Sequence, residues 1–287
     1  MKKENKLVKK VAHLLKKANA PRWLHRFGPK TYDFLQHAVV LIVKQECKMG
    51  YRRATSLLQS LGLKVPTYSA VAKMNKRIPF RLLTLLLAAT IGFAVVNVAA
   101  IDGTTFTRSN PSHHYLQRID RNVPVGRPVK LSILVDTRRK KIISAWFRSK
   151  PRGDVKDIPK IIKHLVRKPR MIVADKGYDS EDVHSQLRDQ GINTLIPLRK
   201  NARKGFYRRQ MKKSFNTRVY HRREIVESVF ATLKQKYGCS VRCTKARMQR
   251  AEIYFRLIAH NISTLIFRLF QRSHKMHNFY ILITVML

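Results

Sequence analysis

Three carboxylates of this 287-residue chain stand where acid–base or metal chemistry could be done. Asp102 directly follows "VVNVAAI" and Asp175 directly follows "RMIVA", two short apolar runs that read as buried strands. Glu227 lies in "YHRREIVESVFATLKQKY", which reads as one helix from Tyr220 to Tyr237. In α/β sheets ligands gather at the carboxyl ends of strands, so Asp102 and Asp175 can converge there. Carboxylates brought that close repel each other unless a cation intervenes. Hard oxygen donors with no surrounding His or Cys set suit Mg²⁺ or Mn²⁺. Two such ions can activate an attacking oxygen and stabilise a leaving one on phosphate.

The helix supplies a finer pattern. Tyr220, Arg223, Glu227 and Lys234 lie at offsets of 3, 7 and 14. At ~100° per residue they fall within an arc of about 60°. A carboxylate, two cations and a phenol thus share one side, a set able to bind metal, steer phosphates and hydrogen-bond DNA. An exposed helix knit by the i,i+4 pair Arg223–Glu227 has the same spacing. Geometry alone leaves both readings open.

Composition narrows the partners. Lys and Arg number 60 against 16 Asp and Glu, a formal net charge of +44. A chain so charged repels itself unless a polyanion neutralises it, and nucleic acid is the natural one. Hydrophobic residues at 44% argue against general disorder. Three cysteines (Cys47, Cys239 and Cys243) are too few for a disulfide framework; with no secretory leader read ahead of them, a reducing compartment is expected. Twelve of the 16 acids lie from Asp102 to Glu227, so negative charge is concentrated where the chemistry would be.

The elements that must position these residues fall into two regions. Residues 1–92 read as helical, beginning with a basic amphipathic helix within 1–28 and a second over 30–48. Short helices at 51–61 and 69–76, separated by Gly62 and Pro66, have the outline of a helix-turn-helix. Arg52, Arg53 and Lys73 are its candidate DNA contacts. Leu82–Ile101 is long and apolar enough to suggest a membrane span. Asn97 and Gly92 interrupt it, so a helix to Ile91 and a strand from Val95 to Ile101 are preferred. From 93 to 272 the pattern is mixed α and β. Strands are expected at 129–136, 141–147, 171–174 and 192–198, and helices at 154–166, 180–189, 220–237 and 250–272, with a basic linker over 199–222. Residues 273–287 form a tail.

The order Tyr220, Arg223, Glu227, Lys234 matches the signature of insertion-sequence transposases of the DDE class. "IDGTTF" (Ile101–Phe106) resembles that family's first-aspartate strand, and "VADKGYDS" (Val173–Ser180) its second-aspartate motif. The resemblance covers about Val95 to Arg268. It implies an RNase H-like mixed α/β core behind an all-helical DNA-binding region, with Asp102, Asp175 and Glu227 as catalytic metal ligands for two Mg²⁺ or Mn²⁺ ions. It also implies nicking of double-stranded DNA at terminal inverted repeats, then attack of a freed 3′-hydroxyl on target DNA. Tyr220, Arg223 and Lys234 would hold phosphates or the flanking strand, and Lys176, Gly177 and Tyr178 would shape the loop beside Asp175. A homodimer in the synaptic complex, no membrane partner, and a prokaryotic cytoplasmic, nucleoid-associated location are the corresponding expectations. Only 51 residues separate Asp175 from Glu227, which leaves no room for the large β-rich insertion of some relatives. The basic stretch 199–223 is a candidate DNA contact in its place.

Other residues have plainer readings. Asp136 precedes "TRRKK" and is expected to form the turn. Asp179 and Asp182 are expected to cap a helix started by Ser180. His113–His114 reads as a loop or strand pair, Cys239 and Cys243 as buried cysteines, and Trp146 and Phe147 as core. The apolar Leu265, Phe267, Leu269 and "FYILITVML" suit helix packing or an oligomer contact. Replacing Arg52 and Arg53 by Gln should weaken DNA binding and flatten its salt dependence by about one unit of log–log slope per lost phosphate contact. Titration of a labelled duplex at several salt concentrations measures this; an unchanged slope removes the two arginines from the interface.

Overall fold

The computed structural model describes residues 6–27, 29–92, 95–108, 128–150, 153–200 and 204–274. His113, His114 and the final "FYILITVML" lie outside the described residues, as do the side chains of Leu265, Phe267 and Leu269.

Five helices come first: α1 (Lys6–Lys17), α2 (Phe34–Glu46), α3 (Tyr51–Ser60), α4 (Tyr68–Arg77) and α5 (Phe80–Ala89). Local chemistry sets their ends. Asp33 and Gln36 close a reciprocal capping box on α2, and the Thr67 hydroxyl accepts the Ala70 N–H to start α4. Gly62, at φ +74°, reverses the chain after α3. The α3–α4 pair is thus present, joined by a seven-residue connection (61–67) that is longer than the usual helix-turn-helix turn.

The second region is built on β1 (Val98–Arg108), β2 (Val129–Asp136), β3 (Lys141–Arg148), β4 (Met171–Ala174), β5 (Asn193–Leu195) and the two-residue β6 (Ser240–Val241). Their order is β3-β2-β1-β4-β5, antiparallel from β3 to β1 and parallel from β1 to β5. This mixed sheet with helices on both faces is the expected RNase H-like core. The remaining helices are α6 (Ile158–Lys163), α7 (Glu181–Asp189), α8 (Phe206–Lys213), α9 (Thr217–Tyr220), α10 (Glu224–Tyr237) and the 29-residue α11 (Ala246–His274). Short 3-10 turns cover Asp154–Asp157, Lys176–Tyr178 and His221–Arg223.

Strand alternation divides the apolar residues between two faces. Ala100, Leu131, Ile133 and Val173 join α2, α5, α10 and α11 in one core; Ala99, Ile101, Leu134 and Ala174 join α6 and α7 in the other. The N-terminal helices therefore share a core with the helix that carries Glu227. On edge strand β3, Asn261 of α11 accepts from the Ile142 N–H (2.9 Å) and donates to its carbonyl (2.8 Å), as a neighbouring strand would.

The structure departs from several expectations. The strand bearing Asp102 does not end there but runs on to Arg108. Residues 154–166 form a 3-10 turn and a short helix, with Pro159 at the helix start. The "linker" 199–222 contains α8 and α9, because Glu181 caps α8 from a distance: its carboxylate accepts the N–H groups of Tyr207 (2.8 Å) and Arg208 (3.3 Å). Gly205 leads into that helix at φ +130°, where a side chain would strike the Glu181 carboxylate. Tyr220 to Tyr237 is broken by the 3-10 turn at 221–223. Cys239 is exposed and Cys243 half-buried, so neither is the buried core cysteine expected. Phe147 is core, whereas Trp146 is half-buried. Among the described residues no helix is long and apolar enough to cross a membrane.

A buried ion pair ties the end of the sheet to α11. Glu252 Oε1 meets Arg256 Nη2 at 2.6 Å and its carboxylate accepts the N–H groups of Arg242 and Cys243. Arg256 also donates to the carbonyls of Gly238, just before β6, and of Ser240, its first residue. Burial alone would raise the Glu252 carboxyl; Arg256, Lys44 and the two N–H groups outweigh it and hold it below the usual range. The stability it contributes is therefore present above the ordinary glutamate pKa and lost as pH falls through the depressed one. Glu252→Gln should cost about 3–5 kcal/mol at pH 7 in urea unfolding, a difference that closes on acidification. A loss below about 1 kcal/mol at pH 7 would contradict this account.

Candidate active site

The site forms where two parallel strands part. β4 pairs with β1 only from Val98 to Ile101. The same edge of β1 is taken up again at Thr107, whose N–H donates to the Cys239 carbonyl beside β6. Between these points, from Asp102 to Phe106, no strand pairs with this edge among the described residues, and Asp102 is the first residue of the gap. Asp175 follows the last residue of β4. The strand order also reverses between β1 and β4, which is the place where open sheets bind ligands.

Helix α10 lies along this gap. Arg223, just before it, donates to Glu227 Oε1 at 2.8 Å and faces Asp102 Oδ2 at 3.8 Å. Burial would lower the Arg223 pKa, but Glu227, Tyr220, Asp175 and Asp102 together raise it. One guanidinium therefore reaches two of the predicted carboxylates directly and feels the field of the third and of the phenol. Two turns further along, the Lys234 ammonium sits 6.0 Å from the Phe106 ring, at the far end of the gap. Seven helical residues span about 10 Å and four strand residues about 13 Å, so helix and gap are matched in length. The 3-10 turn does not scatter the predicted set: Tyr220, Arg223, Glu227 and Lys234 all face this side.

Burial raises the Asp102 carboxyl above the usual aspartate value; the Gly103 N–H (2.7 Å) and Arg223 lower it, and Asp154 and Glu227 raise it further. Asp154 carries no such signal in the sequence. It pairs with Lys130 and lies against Gly103, where an added Cβ would stand 3.0 Å from its Oδ1. Glycine at 103 thus keeps Asp154 beside the site. Its neighbour Asp157 is also turned inward, accepting from Ser132 (2.6 Å) and Arg148 (2.8 Å).

Asp179 does not cap a helix, and Ser180 occupies the cap position of α7 without a side-chain cap bond. Instead Asp179 is fully buried and accepts the Arg199 N–H (2.9 Å) and the Arg208 Nε–H (2.7 Å). Arg199 in turn donates to the carbonyls of Lys176 (3.2 Å) and Gly177 (2.6 Å). The loop after Asp175 is therefore braced from the segment read as a linker, a long-range contact with no local signal. Asp136 does form its turn, accepting from the N–H groups of Arg138 and Arg139. Arg52, Arg53 and Lys73 are exposed on α3 and α4, helices that pack on α2 and α11 rather than on the strands carrying the aspartates.

Among the described residues no three His, Cys, Asp or Glu side chains stand close enough to share one ion. The donor set still fits a hard divalent cation. Asp102 and Glu227 face one gap with Arg223 between them, and Asp175 follows the strand on its other side. Because the Asp102 pKa is raised, its ionised form weakens the fold above that pKa and costs nothing below the ordinary aspartate value. Asp102→Asn should therefore raise the melting temperature in EDTA at pH 7, with the gain vanishing near pH 3; a lowered melting temperature at pH 7 would refute the assignment of strain to this carboxylate.

The chain also resembles known proteins. Among solved structures, a piggyBac transposase synaptic complex with hairpin DNA aligns at 12% identity over 91% of this chain and 74% of that one, with a TM-score of 0.43. The Mos1 transposase paired-end complex with left transposon end aligns at 11% identity over 84% and 80%, with a TM-score of 0.26. Likenesses this distant decide nothing about chemistry. Residues 97–262, more than half of the chain, match the transposase DDE domain, and their span holds Asp102, Asp175 and Glu227. By that match the chain belongs to the family of proteins with a transposase DDE domain.

Proposed function

We propose that the protein is the transposase of an insertion sequence, cutting its terminal inverted repeats and joining the freed 3′-hydroxyl to target DNA. The observation that carries this reading is the Arg223 guanidinium, 2.8 Å from Glu227 and 3.8 Å from Asp102, at the β1–β4 gap where Asp175 follows the last residue of β4. Asp102, Asp175 and Glu227 would hold two Mg²⁺ or Mn²⁺ ions, which when bound supply Lewis-acid activation of the attacking and leaving oxygens. Arg223, released from the carboxylates, would take a phosphate, with Tyr220 beside it and Lys234 farther along α10. Arg52, Arg53 and Lys73 would grip the terminal repeat, and two copies would assemble to pair the ends. A prokaryotic nucleoid is the setting that this reading implies.

The test is incubation of labelled DNA from the gene's flanks with protein in Mg²⁺, Mn²⁺ or EDTA. Metal-dependent nicks at an inverted repeat are expected. Asp102→Asn, Asp175→Asn and Glu227→Gln should each reduce them to background while retaining end binding. Cleavage surviving in any one variant would remove that residue from the site. Tight binding without cuts in either metal would replace the reading with a non-catalytic DNA-binding protein, and cutting without joining with another nuclease on this fold.

A further inference from the structure

A cavity of about 390 Å³ opens beside edge strand β3, across the sheet from α10. It is lined by Trp146, Arg148, Lys150, Lys156, Lys160 and Arg250, with Asp157 as the acid among its lining residues. That acid is only 1% exposed and already engaged by Ser132 and Arg148. Among the described residues, no acid forms an ion pair with Lys150, Lys156, Lys160 or Arg250. The three lysines are exposed, whereas the walls are rigid: Trp146 stacks on His164 (5.8 Å, 13°), and the Arg250 guanidinium lies 4.9 Å from the Phe80 ring. Solvated lysines usually spread over a surface; here they rim one hollow whose own acid is spent.

Its position relative to the site is fixed by one turn of chain. Asp154 lies against Gly103 next to Asp102, and Lys156, two residues on, lines the cavity. Two inter-strand steps separate β1 from β3, about 10 Å. Ala145 is the β3 residue level with Asp102, and the lining runs on to Arg148, about 10 Å further along the strand. With DNA rising about 3.4 Å per nucleotide of one strand, the cavity stands about three to four nucleotides from a phosphate at Asp102.

We infer that this cavity is a second DNA site, holding backbone phosphates on the side of the reaction centre opposite Arg223 and Lys234; the inference rests on the reading of the chain as a DNA-acting enzyme. The ligand class is the phosphodiester chain of duplex DNA, because the lining cations come from the end of β3, the 3-10 turn, α6 and α11 around an open hollow, a spread that suits a chain of phosphates.

The test needs no cutting step. A fluorescent duplex of arbitrary sequence is titrated in EDTA at several salt concentrations with the full chain carrying Asp175→Asn, alone or with Lys156→Gln and Lys160→Gln. The log–log salt slope should flatten by about two units in the triple variant, and affinity at about 0.1 M salt should fall tenfold or more. Lys156→Arg with Lys160→Arg should restore both. The same duplex is titrated with Lys10→Gln and Lys16→Gln on α1 as a control. An unchanged slope, or an equal change in the control pair, would overturn the proposal. So would lost sedimentation with phosphatidylserine vesicles while the DNA slope stands, since that assigns the lysines to a membrane surface. Failure of the nicking assay leaves this measurement intact, and the two readings therefore fall separately.

Discussion

Parallel strands β1 and β4 stay hydrogen-bonded only as far as Ile101 and Ala174, and the geometry of the whole site depends on that parting. A β-strand edge with no partner exposes backbone groups that must be satisfied or used. Here the open edge is short, closed again at Thr107 by β6 and flanked by α10. Asp102 and Asp175 emerge at the same level because the two strands are in register to their last pair. The length of α10 carries Glu227 to one end of the gap and Lys234 to the other. The pinned segment Gly238–Cys243 closes the gap, so the Glu252–Arg256 pair on α11 helps define the site from outside it.

Among the described residues, several acids of this basic chain serve as fasteners. Asp157 faces Arg148, Asp179 faces Arg208, Glu252 faces Arg256, and Glu46 faces Lys236 at the junction of α2, α10 and α11. In each case the carboxylate joins segments distant in sequence or holds a loop that would otherwise be driven apart by positive charge. Of the acids concentrated between Asp102 and Glu227, Asp154, Asp157, Asp179 and Glu181 are engaged in bracing neighbouring segments.

Local patterns carried much of the fold. The β2–β3 hairpin, β4, α3 and α4 lie within about two residues of where periodicity and turn residues put them, because their signals are contained in the elements themselves. The misses have the opposite character. Residues 199–222 look like a linker because α8 is started by Glu181, 26 residues earlier in the chain. Asp154 looks like a helix start because its partners Lys130 and Gly103 are brought to it by the sheet. The spacing of Tyr220, Arg223, Glu227 and Lys234 was legible. The reach of Arg223 to Asp102 as well as Glu227 was not, since an i,i+4 pair has the same form on any exposed helix.

The shared core of the N-terminal helices and α10–α11 has a genetic consequence. α2 is buried along most of its length, and Glu46 is pinned to Lys236 and Tyr237. A shortened product begun at an internal start codon beyond residue 92 would leave the apolar faces of α10, α11 and one side of the sheet uncovered. Such a fragment would collapse or be degraded before it could compete for DNA. The two regions are therefore one folding unit, and a gene that lost the first would yield no stable second.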